Sequence, residues 1–151
     1  MNAPFREPTE EDLGQVLTFM RALSTEDGST PLVPDRAAEA LHELLHDQER
    51  GRIWLIEVSQ MAAGYLVVTW GFSLEFHGRD AFIDELYVAP PYRGAGLGRQ
   101  AMELAERECR AQGVRALHLE VEPGNERAQS LYRHRGFAQR GYHLMTKRLA
   151  E

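Results

Sequence analysis

The residues best suited to chemistry follow a strand-like segment in the middle of the chain. Pro90 and Pro91 stop that strand, because neither can donate a backbone N–H. Arg93 and three glycines then precede an amphipathic helical pattern: Gly94, Gly96 and Gly98. A helix start leaves N–H groups unpaired and carries a partial positive charge, and glycine lets a backbone approach an anion closely. Arg93 adds a charged donor, so the stretch predicts a phosphate-binding turn.

Carboxylates form a second group of candidates. Asp84 and Glu85 lie on the strand before the glycines, and Glu120 lies on a later strand. In a partly desolvated cleft, a carboxylate can have a raised pKa that suits a general base. On a regular strand, Asp84 and Glu85 would point to opposite faces.

A third pattern is His42-Glu43-Leu44-Leu45-His46, which matches the H-E-x-x-H motif of zinc hydrolases. Histidines four apart share a helix face and can share a metal ion, with Glu43 as the base. Only three positions are fixed, and no later histidine or glutamate is an obvious third ligand. A solvated helix flank without metal is therefore the preferred interpretation, and a zinc hydrolase is the remote alternative.

Composition narrows the class of protein. The 151 residues suit one domain, 1–151, with an ordinary 43% of hydrophobic residues. The net charge of −6 argues against nucleic acid as a partner and is compatible with a cationic substrate. The single cysteine, Cys109, excludes an intrachain disulfide and is interpreted as a small core or boundary residue. Without a signal-like or membrane-spanning apolar run, a cytoplasmic protein with no membrane partner is expected.

The elements that must position these residues follow from periodicity. Helices are predicted after the cap Thr9 and over 35–48, 96–112 and 126–135. Strands are predicted near the start and over 52–58, 61–76, 81–88 and 115–121, with one or two more between Phe137 and Leu149. Tight turns are expected at Ser59-Gln60 and at 77–80. The strand, helix and strand from 81 to 121 form a parallel crossover unit.

Several linked motifs resemble one known family. Arg93-Gly94-Ala95-Gly96-Leu97-Gly98 resembles the [RQ]-x-x-G-x-[GA] signature of the GNAT superfamily of N-acetyltransferases. Leu86-Tyr87-Val88 resembles the family's preceding strand. Asn125, Ala128, Tyr132 and Gly136-Phe137 resemble its second conserved block. The order of elements is also similar over nearly the whole chain.

The resemblance implies an α/β (α+β) fold with a mixed, mostly antiparallel sheet of six to seven strands flanked by four helices. It implies acetyl transfer from acetyl-CoA, as cosubstrate, to a primary amine that attacks the thioester directly. The acceptor is a small molecule, of cationic character given the charge, or a protein N-terminus or lysine. A non-catalytic acetyl-CoA sensor is the alternative. Many relatives are homodimers, so a homodimer is expected.

Specific roles are implied residue by residue. The backbone of Leu86–Val88 would pair with the pantetheine arm, and the Val88 N–H would polarise the thioester carbonyl. The loop and helix start from Arg93 to Arg99 would hold the pyrophosphate. Asn125, with Ala128 in the same block, would contact the pantetheine.

The resemblance also implies acid and base candidates. Tyr132 matches the position of the acid that protonates the departing thiolate. Glu120 and Asp84 match base positions in two branches of the family, and Glu85 is the neighbour of Asp84. We rank Glu120 first, Asp84 second and Glu85 third.

Overall fold

The structure is a computed structural model that describes residues 4–150. Its five strands are β1 (Phe5–Arg6), β2 (Gly51–Val58), β3 (Met61–Ser73), β4 (Gly78–Val88) and β5 (Ala116–Leu119). Its four α-helices are α1 (Leu13–Asp27), α2 (Pro34–His46), α3 (Leu97–Ala111) and α4 (Glu126–His134). Short 3₁₀ turns at Glu10–Asp12 and Pro90–Tyr92 precede α1 and follow β4. The α/β class and the four helices are confirmed.

The sheet has the order β1-β2-β3-β4-β5. All neighbouring strands are antiparallel except β4 and β5, which are parallel and joined through α3, as the predicted crossover requires. Ser59 and Gln60 join β2 to β3 with positive φ values of 50° and 65°. A two-residue turn of this kind matches the twist of the strands that it connects, so the predicted hairpin is confirmed.

Apolar clusters cover both faces of the sheet. One face packs against α1 and α2 and buries Val16, Phe19, Leu41, Ile53, Leu55, Tyr65, Val67 and Tyr87. The other packs against α3 and includes Ala101, Met102 and Ala105. Cys109 is buried in this second cluster, as predicted, and burial raises the pKa of its thiol to about 11. The helices thus pack on both faces of the sheet and fix the position of β4.

Gly64 allows β3 to approach β4 closely beside the end of the sheet. A Cβ at this position would lie 2.0 Å from the carbonyl oxygen of Tyr87. Since no side chain fits in that space, glycine is required where β3 supports the register of Tyr87 and Val88.

Two predictions, one about the number of strands and one about the position of a turn, are wrong. The sheet has five strands in residues 4–150, and not six to seven, because 137–149 forms none there. Apolar side chains in that segment favoured a strand, yet Tyr142, Leu144, Met145 and Leu149 are all exposed. The turn predicted at 77–80 lies at 74–77 instead, where His77 has a φ of 64°, and β4 already begins at Gly78.

Candidate active site

The strands β4 and β5 separate near the middle of β4. Their parallel pairing runs from Asp80 and Ala116 to Ile83 and Leu119, while β4 continues to Val88. Within residues 4–150, the segment from Asp84 to Val88 therefore has a strand neighbour only on its β3 side. The result is an open notch between the two strands, of the kind that an extended ligand can enter by strand addition.

The backbone of Val88 faces this notch. Ala89 donates its N–H to the carbonyl of Ala63 at 2.7 Å, next to the Val88–Gly64 pair. Because successive groups alternate in direction along an antiparallel ladder, the N–H of Val88 points away from β3. Its carbonyl accepts a hydrogen bond from Nε of Arg93 at 2.6 Å. The N–H is thus aimed at the notch, where a carbonyl oxygen could accept from it.

A β-bulge lies where the strands separate. The β3–β4 register shifts between Val67, which faces Glu85, and Val68, which faces Ile83. Asp84 is the extra residue. The bulge interrupts the alternation expected for Asp84 and Glu85. Accordingly, the negative charge of Asp84 contributes to raising the pKa of Glu85, after burial as the larger cause.

Asp84 and Glu120 meet at the notch. Both line a small cavity of about 90 Å³ together with Phe82 and Ile83. Asp84 is exposed, yet the surrounding protein partly desolvates its carboxylate and raises its pKa. Glu120 directly follows the last paired residue of β5 and is exposed. The fold thus brings together two of the three predicted base candidates.

Glu85 is engaged differently. The hydroxyl of Tyr65 donates to Oε1 of Glu85 at 2.8 Å. Burial raises the pKa of Glu85, and the hydrogen bond from Tyr65 opposes that shift. Burial and the charge of Glu85 also raise the pKa of the Tyr65 hydroxyl, which therefore stays protonated. Tyr65 is completely buried, so this contact anchors Glu85 to the core.

The glycine turn has the backbone conformation of an anion site. Gly94 and Gly96 have φ values of 83° and 82°, which other residues rarely adopt. Gly96 caps α3 and offers no side-chain acceptor to the first N–H groups of the helix. The side chain of Leu97 is buried in the core, so its predicted contact with a phosphate would use its backbone N–H.

Arg93 points its guanidinium toward α1. Its Nη2 lies 2.8 Å and 2.9 Å from the two carboxylate oxygens of Glu26, and the group stacks 5.5 Å from the ring centre of Tyr87. The side chain is partly exposed, so this ion pair is weak. Arg93 therefore links the glycine turn to the end of α1.

The helix α4 carries two further predicted site residues. Asn125 caps this helix, and its Oδ1 accepts the N–H of Ala128 at 3.1 Å, which leaves its amide NH₂ as a donor. Tyr132 lies on the same helix, with its ring 6.2 Å from that of Phe137. Burial raises the pKa of its hydroxyl, so the group is protonated at neutral pH.

Sequence reasoning missed two polar contacts. Nε2 of His118 lies 3.2 Å from Oδ2 of Asp80, and Phe76 and Phe82 flank the imidazole. The only indication of this contact in the sequence was strand alternation, which places His118 on the same face as Glu120. The second is Glu10, which precedes the H-E-x-x-H pattern and reaches both His42 and His46, whereas a third ligand was considered only among later residues. Within residues 4–150, no helix has the length and apolar character to cross a membrane.

Comparisons with known proteins agree with this geometry. The profile of the acetyltransferase (GNAT) family matches residues 17–137. An uncharacterized N-acetyltransferase of Bacillus subtilis (strain 168) is 35% identical over 71 residues, and an IAA acetyltransferase of Azospirillum brasilense is 34% identical over 79 residues. These matches cover 47% and 52% of this chain and 45% and 52% of the relatives. The chain thus spans about half the length of these two relatives.

A thialysine N-epsilon-acetyltransferase of Bos taurus is 26% identical over 146 residues, which cover 85% of this chain and 79% of that protein. An integron cassette protein from the metagenome of Cole Harbour Salt Marsh has a TM-score of 0.85 and 34% identity, over 98% of this chain and 91% of that one. An aminoglycoside N-acetyltransferase solved with CoA has a TM-score of 0.80 over 97% and 94% of the two chains, and at 15% identity it supports the fold alone.

Proposed function

The chain belongs to the GNAT family of acetyltransferases, and we propose that it transfers the acetyl group of acetyl-CoA to the primary amine of a small cationic molecule. Family membership supports an N-acetyltransferase that uses acetyl-CoA as cosubstrate. The acceptor and the residue roles are the proposal. The observation that carries it is the notch beside Val88, which opens next to the carboxylates of Asp84 and Glu120.

The residues present fit acetyl-CoA. The glycine turn and the start of α3 offer backbone N–H groups for the pyrophosphate, together with Arg93 and Arg99. The free side of Leu86–Val88 suits an extended pantetheine arm, and the amide NH₂ of Asn125 is a candidate donor to that arm. When bound, acetyl-CoA supplies an acetyl thioester that an amine can attack.

The proposed mechanism uses four groups of this chain. Glu120, with Asp84 beside it, removes a proton from the ammonium, directly or through water. The amine nitrogen then bonds to the thioester carbon, and Val88 N–H stabilises the oxyanion. The C–S bond breaks as the amide forms, and the nitrogen releases its remaining excess proton to solvent. Tyr132 donates its proton to the departing sulfur, and its phenolate is then reprotonated from solvent.

Negative charge near the notch supports a cationic acceptor. The negative charges of Asp84 and Asp27 both contribute to raising the pKa of Glu85, so several carboxylates share this region. Such a cluster attracts an ammonium group and favours a second positive charge elsewhere on the substrate. The bovine relative is named for the ε-amine of thialysine, a small amino acid with this character.

Release of the CoA thiol tests this function. Purified protein should release thiol from acetyl-CoA when given diamines or basic amino acids, with kcat/KM about tenfold or more above that for neutral amines. Mass spectrometry should find the acetyl amide in equal amount. Faster acetylation of peptide N-termini or lysines would overturn the small-molecule proposal. Tight binding of acetyl-CoA without amine-dependent thiol release would support the sensor alternative.

The ion pair between Arg93 and Glu26 gives a further prediction. If Arg93 holds pyrophosphate, Glu26 competes for it, so Glu26→Gln should lower the Kd for CoA up to about fivefold, the value of an exposed ion pair. Isothermal titration calorimetry measures the change. Arg93→Gln should raise the Kd, and Glu39→Gln, at an exposed position on α2, should not change it. An unchanged Kd for Arg93→Gln would restrict Arg93 to the contact with α1.

Three other expectations stay predictions: that 1–151 forms one domain, that the chain is a homodimer, and that it acts in the cytoplasm without nucleic acid or membrane partners.

A further inference from the structure

Three side chains form a compact cluster between α2 and the 3₁₀ turn before α1, and none of them is a predicted residue of the notch. His42 and His46 lie one helical turn apart, with ring centres separated by 4.4 Å. Both direct Nε2 at the same atom, Oε1 of Glu10, at 3.0 Å and 2.7 Å. The three potential ligand atoms all lie within 4.8 Å of one another. Glu10 comes from the 3₁₀ turn before α1, so the cluster joins two separate elements.

We infer that Glu10, His42 and His46 bind one divalent transition-metal ion such as Zn²⁺. Two imidazole nitrogens and one carboxylate oxygen are ligands that Zn²⁺ accepts, whereas Mg²⁺ and Ca²⁺ prefer oxygen alone. The proposal does not depend on the acetyltransferase function. It also differs from the hydrolase hypothesis, because the third ligand comes from a different element and no hydrolysis is involved.

The geometry needs only a small adjustment. Tetrahedral ligands about 2.0–2.1 Å from Zn²⁺ lie about 3.3 Å apart. The present N–O separations are shorter by a few tenths of an ångström, because the groups are hydrogen-bonded. Modest side-chain rotations would therefore increase the separations to those of a metal site. All three side chains are more than half exposed and can move.

The site also has room for a further ligand. Glu10 and His46 line the edge of a cleft of about 240 Å³ beside the cluster. Water can therefore complete a four-coordinate shell. An ion held there would tie the turn before α1 to α2, which are otherwise joined at this point by the two His–Glu hydrogen bonds.

Glu43 explains why we propose binding without hydrolysis. In the zinc-hydrolase pattern this residue is the general base. Here its Oε1 lies 2.9 Å from Nη2 of Arg50, and the same guanidinium also contacts Asp47. The carboxylate thus forms an exposed ion pair at the end of α2.

Calorimetric titration of tag-free, EDTA-treated and dialysed full-length protein with ZnCl₂ tests the inference. The expected result is one Zn²⁺ per chain and a higher melting temperature in its presence. His42→Gln and His46→Gln should each raise the Kd about tenfold or more, since each removes one of three ligands. Glu10→Gln should weaken binding in the same direction.

His143→Gln is the matched control, because it removes an exposed histidine in the C-terminal segment. Cys109 does not compete, since it is buried. Circular dichroism of each variant checks that it is folded. The inference is overturned if the wild-type protein binds no Zn²⁺, or if the three variants bind it as tightly as the control. In either case, the contacts of Glu10 are hydrogen bonds alone.

Discussion

Replacement of Tyr132 by phenylalanine is expected to lower kcat about 100-fold, the usual contribution of a general acid. Burial raises the pKa of this hydroxyl, so it carries its proton at neutral pH and can give it to a departing thiolate. The hydroxyl makes no hydrogen bond to another residue within 4–150. Phenylalanine keeps the contact with Phe137, so the free energy of unfolding should change by less than about 0.5 kcal/mol.

Thiol release at saturating acetyl-CoA and amine measures this kcat. Tyr142→Phe is the control, because Tyr142 is 77% exposed and lies in the C-terminal segment. The raised pKa of Tyr132 places any loss of activity from its ionisation above the ordinary tyrosine value of about 10. The wild-type kcat should therefore not fall between neutral pH and about pH 9 through this group. A Tyr132→Phe enzyme with wild-type kcat would show that the thiolate leaves without this acid.

The regular elements could be predicted because each has a local signal. Apolar periodicity and capping residues indicated α2, α3 and α4 to within two residues at either end. Strand formers separated by Ser59-Gln60 indicated the β2–β3 hairpin. The glycines of the turn before α3 could be predicted for the same reason, since a positive φ is a local demand on residue type.

What could not be predicted depends on distant partners. Nothing in the order Asp84-Glu85 reveals a bulge, because a bulge is a mismatch between two strands. Glu10 lies 32 residues before His42, so only the packing of the first turn on α2 brings them together. The segment 137–149 has strand-like residues, but a strand also needs a neighbour for its backbone groups. Sequence therefore indicated the site's backbone parts better than its charged side chains.

The largest effect on kcat/KM is expected from Glu120. Glu120→Gln should lower it about 100-fold, and Asp84→Asn about tenfold, because a base must accept the ammonium proton and both carboxylates line the same cavity. Glu85→Gln should have little effect, since a glutamine oxygen can still accept from the Tyr65 hydroxyl. A loss for Glu85→Gln that exceeds the loss for Glu120→Gln would reverse this ranking.

Stability measurements separate a catalytic role for Asp84 from a structural one. Its pKa in the folded state is raised above the unfolded value, so the folded protein binds more protons between those two pKa values. Stability is therefore expected to fall as pH rises through that window, and the charged Asp84 should destabilise the fold only slightly at neutral pH, because it is exposed to solvent. Asp84→Asn removes this cost, so urea unfolding at pH 7 should show a more stable protein with lower kcat/KM. If Asp84 had only a structural role, its replacement should lower the stability of the protein. If its carboxylate is desolvated for catalysis, the replacement should raise the stability while activity falls.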